Sequence, residues 1–76
     1  MTLDKHSIDG VENFTAKTLP ASEFESRMIA AGYSQTGLAP AQGNRIKVWW
    51  GHLEHSRVES IYSPDKQIVI TAYHVQ

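Results

Sequence analysis

His52-Leu53-Glu54-His55 sets two imidazoles three residues apart, and His74 lies near the chain end, so three of the four histidines belong to the C-terminal half. Zinc commonly takes three such nitrogens plus water or a fourth ligand. His52, His55 and His74 would then form the metal set, with Glu54 or His6 as the fourth member. The spacing is not the helical His-Glu-x-x-His of metalloproteases, and turn histidines are by default solvated polar residues. The reading therefore implies no resident metal and no cofactor.

The same stretch carries a second candidate chemistry. RNA cleavage without a metal requires a base to activate the 2′-hydroxyl, an acid for the leaving oxygen and a cation for the phosphorane. His52, His55, Arg57, Glu59 and His74 contain those groups, with Tyr73 beside them. As charged residues are common on strands, the set is equally that of a solvated sheet, and the chain reads more readily as a non-enzyme.

A third candidate is binding. Trp49, Trp50, Tyr62 and Tyr73 are of the types that dominate interface hot spots, because they bury large rigid areas with little entropy loss. Arg45, Lys47 and Trp49 alternate onto one side of a strand, and Val69, Thr71 and Tyr73 onto one side of another. These six residues form the expected binding face.

The elements that position these groups follow from periodicity and turn chemistry. Ala21, Phe24, Met28 and Ala31 recur at helical spacing, with Ile29 on the flank, which predicts an amphipathic helix over about 20–31. Pro20 suits the first turn, Ser22 and Glu25 stand at capping-box spacing, and Gly32 supplies a left-handed stop. Strands are predicted at about 45–50, 57–62 and 67–75, the second with an irregular pattern that suggests a bulge. Ser63-Pro64-Asp65-Lys66 has the type I turn signature. Residues 11–17 read as a candidate edge strand, 34–44 as a loop, and 1–10 as a flexible tail. The sum is an α+β fold with one helix on a three- or four-stranded antiparallel sheet, in a single domain spanning 1–76. Helix followed by meander, with the hairpin Ser60-Ile61-Tyr62-Ser63-Pro64-Asp65 to Ile70-Thr71-Ala72-Tyr73, resembles small bacterial ribonuclease toxins. The likeness covers about a third of the chain and implies the metal-independent nuclease just described.

Bulk composition narrows the classes. A chain of 76 residues buries only about 60–65% of its unfolded surface, enough for one core. Seven Lys plus Arg against eight Asp plus Glu give a net charge of −1, which disfavours sequence-independent nucleic-acid binding, though nucleic acid stays on the list of partners. The chain has no cysteine, and no apolar run approaches a membrane span, which point to a cytoplasmic protein without membrane contact. The leading expectation is a small interaction module, a regulator or inhibitor, using its aromatic sheet face or a strand edge against a protein partner or a second copy in a homodimer.

Overall fold

The computed structural model describes residues 2–75 and shows an α+β fold with one helix and a five-stranded antiparallel sheet. In chain order the elements are β1 (Leu19–Pro20), α1 (Ala21–Ala30), β2 (Ser34–Pro40), β3 (Ile46–Gly51), β4 (Val58–Tyr62) and β5 (Ile68–His74). The strands lie in the order β1-β5-β4-β3-β2.

Three expectations need correction. Residues 34–44 are not a loop: Ser34–Pro40 is the edge strand β2, paired with β3 from Ser34↔Gly51 to Pro40↔Ile46. Gly37 and Pro40 disguise it, and both are tolerable on an edge, where one side of the backbone needs no ladder partner. No strand forms over 11–17; the N-terminal contribution to the sheet is the two-residue β1 beside β5. Nor is the N-terminal stretch a loose tail. Its first residue lies outside those described, but Leu3 and Ile8 are buried in the core with Phe14, and the Leu3 N–H donates to Lys17 O at 2.9 Å.

The helix closes as its sequence dictates. Pro20 stands at the N-cap, one residue before the helix and not within its first turn as predicted, and no side-chain cap bond forms. At the other end Gly32 has φ +95°, Gly32 N–H donates to Ile29 O and Tyr33 N–H to Met28 O, the paired bonds of a Schellman stop. Phe24 and Met28 turn onto the sheet, where Phe24 meets Trp50 and Tyr62 edge-on at ring separations of 6.0 and 6.4 Å. Ile29 stays on the outer flank, 65% exposed.

Sheet register decides which residues share a face. Val48, Trp50, Val58, Tyr62 and Ala72 pack toward the helix. Ser60 joins them, fully buried because it links two strands: its hydroxyl accepts from the Trp50 indole N–H at 3.2 Å and donates to Val48 O at 2.9 Å. That polar residue at a core position makes the β4 pattern look irregular. The register shift falls in the β4–β5 pair, where Thr71 opposes Ile61 and Val69 opposes Tyr62, so the unpaired extra residue is Ile70. This bulge reverses the phase of β5 and turns Val69 into the core, fully buried, away from the expected binding face.

Candidate functional site: the open sheet face

The face opposite the helix is organised by Glu59. Register places Glu59 between Trp49 on β3 and Tyr73 on β5. The Trp49 indole N–H donates to Glu59 Oε1 at 3.0 Å, and the Tyr73 hydroxyl donates to Glu59 Oε2. Lys47 Nζ lies 3.8 Å from Oε1. Lys47 and Arg57 each set their charge 6.0 Å from the Trp49 ring centroid. One carboxylate thus ties three strands together.

Electrostatics follow from that geometry. Burial pushes the Glu59 carboxyl upward, but the hydrogen bonds from Tyr73 and Trp49, with the charges of Lys47 and Arg57, outweigh it and hold the group below the usual carboxylate range. The bond to Glu59, with burial and the carboxylate's charge, pushes the Tyr73 phenol up to about 12. A carboxylate so stabilised in its charged form is a weak proton acceptor at neutral pH. It serves as an anchor for the aromatic groups.

Of the six residues expected to bind, Arg45 and Lys47 flank the face and Trp49 and Tyr73 lie half-buried on it. Thr71 shares the face but is almost fully covered, its hydroxyl without a partner among the described residues, and Val69 is in the core. Sequence reasoning overlooked the N-terminal contribution: His6 packs its ring 5.5 Å from Tyr73. Two grooves meet at Tyr73. One, of about 580 Å³, is lined by Lys5, His6, Ser7, Tyr73 and His74, and the other, of about 370 Å³, by Ala41, Gln42, Arg45, Lys47, Ile61 and Tyr73.

The remaining histidines have structural duties on the helix side. His52 Nδ1 accepts from Glu54 N–H at 2.9 Å, so Nε2 carries the proton and donates to Ala31 O at 2.9 Å. His74 Nε2 accepts from Asp9 N–H at 2.9 Å, so its protonated Nδ1 faces Ser56 O at 3.0 Å. Tyr33 also holds the N-terminal segment by donating its hydroxyl to Asp9 O at 2.6 Å, and His55 lies 4.4 Å from His52 between ring centroids. His52 and His74 have therefore committed the lone pairs a metal would need. Among the described residues no three His, Asp or Glu side chains converge on a metal position. The nuclease set is split as well: Arg57 and Glu59 belong to the open face, while His55 and His74 face Asp9 of the N-terminal segment and His52 ties the end of the helix to the sheet.

The strand edge offers less than the face. Ala41 N–H donates to Arg45 O at 2.9 Å, which makes Pro40↔Ile46 the adjoining non-hydrogen-bonded pair and directs the missing N–H of Pro40 outward. The register shift between Gln35 and Gly37 interrupts the other half of β2. Pro and a bulge are devices that blunt an edge against strand addition. Beside it Leu38 is 55% exposed, because the ten-residue helix does not reach across β2.

Among the described residues no helix is long and apolar enough to cross a membrane. No protein-family model matches the chain, and no curated protein or solved structure shows significant similarity to it.

Proposed function

We propose that this chain is a small protein-interaction module that binds a different protein through its open sheet face. The observation that carries the reading is the Glu59 hub, which fixes Trp49 and Tyr73 in place while satisfying its own charge internally. Aromatic groups held rigid before binding lose little entropy on association, which suits an interface better than a mobile surface. Arg45, Lys47 and Arg57 surround them, and among the described residues Glu59 is the one carboxylate in that cluster, so the face they form is net cationic. A second copy placed face to face would oppose like charges, which favours a heterologous partner over a homodimer. A regulator or inhibitor of a larger assembly works in this way.

The test is affinity capture with quantification, comparing the native chain with the double variant Arg45→Glu, Lys47→Glu and with Lys17→Glu, a charge reversal at an exposed site that lines neither groove. Circular dichroism confirms that each variant folds. The reading expects one or a few proteins retained by the native chain and by Lys17→Glu but lost from the double variant. A partner held equally by all three proteins would refute it.

A further inference from the structure

We infer that the two grooves meeting at Tyr73 form one trough for a linear acidic segment of the partner, an inference that rests on the interaction reading above. The first groove carries Lys5 and His6, the second Arg45 and Lys47, and Tyr73 lines both. Across the trough run β5, β4 and β3, adjacent in the sheet. Strands stand about 4.8 Å apart, so β5 to β3 spans roughly 10 Å, and the N-terminal turn beside β5 extends the path to about 15 Å. That is the reach of roughly five residues of extended chain.

Charge decides the occupant. Lys5, Arg45 and Arg57 enter no salt bridge among the described residues, and Lys47 shares its charge with Glu59 at 3.8 Å. Glu59 already accepts from Trp49 and Tyr73, so it has little capacity left for an incoming donor. Carboxylates arriving at both ends of the trough would meet cations, and Arg45 presents a planar fork suited to bidentate contact.

A single-stranded nucleic acid fits less well, although it is also anionic. Base stacking needs bare aromatic faces. Here Lys47 and Arg57 lie against the Trp49 ring, and His6 packs on Tyr73. The net charge of −1 further weakens a partner that binds chiefly through its phosphates.

Fluorescence anisotropy provides the test, with three labelled probes: hexaglutamate, hexaglutamine and hexathymidylate. Each is titrated into the native chain, Arg45→Glu and Lys17→Glu at two salt concentrations, and folding of each protein is checked by circular dichroism. The inference expects hexaglutamate to bind at least tenfold more tightly than either other probe, more weakly at high salt, at least tenfold more weakly to Arg45→Glu, and within twofold of native to Lys17→Glu. Tighter binding of hexathymidylate would overturn it in favour of nucleic acid. Equal binding of the two peptides, or failure of hexaglutamate to bind, would overturn it too. If that failure accompanies loss of partner capture in Arg45→Glu, Lys47→Glu, the face remains the interface and only its acidic occupant is wrong; if capture is also unchanged, both readings fall.

Discussion

Replacing Glu59 with Gln separates the charge of the hub from its shape. The amide oxygen can still accept from the Trp49 indole, and the amide nitrogen can donate to the Tyr73 oxygen after that hydroxyl turns, so two hydrogen bonds survive in the same space. What disappears is charge assistance. A hydrogen bond to a charged group is worth about 1.5–3 kcal/mol, against about 0.5–1.5 for a neutral one, so losing charge assistance in both bonds of Glu59→Gln should cost roughly 2–3 kcal/mol. In a domain of this size that lowers the melting temperature by about 10–20 °C. Glu59→Ala, which removes both acceptors, should cost more. The spectroscopic companion is absorbance titration of tyrosine. All three tyrosines ionise above the usual range: burial first and Asp9 second raise Tyr33, burial and the Glu25 contact raise Tyr62, and the bond to Glu59 raises Tyr73 to about 12. Tyrosine ionisation in the native chain should be displaced above the usual range, and Glu59→Gln should move one tyrosine back toward it. The linkage has a definite sign at each end. Because the folded state depresses the Glu59 carboxyl, its contribution is present above the ordinary carboxylate range and lost as pH falls through the lowered value. Because the folded state raises Tyr73, its contribution is complete below about pH 10 and lost as pH climbs through about 12. An unchanged melting temperature together with an unchanged tyrosine titration in Glu59→Gln would refute the hub.

Other substitutions probe the scaffold. Ser60→Ala leaves the buried Trp50 indole N–H without its acceptor and should cost about 1–3 kcal/mol by urea unfolding; a neutral result would show that the bridge between β3 and β4 is dispensable. Leu3→Ala should cost about 2–5 kcal/mol, measured the same way, because Leu3 is fully buried in the core. A tail would show no effect. Gly32→Ala should destabilise by more than about 1 kcal/mol, since Gly32 has φ +95° and a Cβ there would approach His52 Nε2 to 2.9 Å.

The parts of the fold legible in the sequence were those with local causes. The apolar spacing of Phe24 and Met28 and the stop at Gly32 define the helix. Pro64 and Asp65 mark the hairpin, where Lys66 N–H donates to Ser63 O and Gln67 N–H to the Asp65 carboxylate. Features that depend on distant partners were hidden. β2 carries Gly37, Pro40 and mostly exposed residues, and only pairing with β3 makes it a strand. Val69 changed face through a bulge at Ile70 that no local pattern marks. Alternation did bring Lys47, Trp49 and Tyr73 to one face, but the hub role of Glu59 required the register of three strands. The histidines illustrate the converse: their spacing suggests chemistry, whereas His52 and His74 are satisfied by backbone groups that sequence cannot locate. Asp9 was the available signal, a polar turn residue beside Gly10, yet nothing in the sequence pairs it with His74.

The most direct test of the central claim is a two-dimensional amide spectrum of the labelled chain titrated with hexaglutamate. The two tryptophan indoles report independently, one on each side of the sheet. The account predicts progressive shifts for the Trp49 indole and for the amides of Lys5, His6, Arg45, Lys47 and Tyr73, with the Trp50 indole unmoved. Shifts confined instead to Ile29, Leu38 and the Trp50 indole would move the binding surface to the helix side and contradict it.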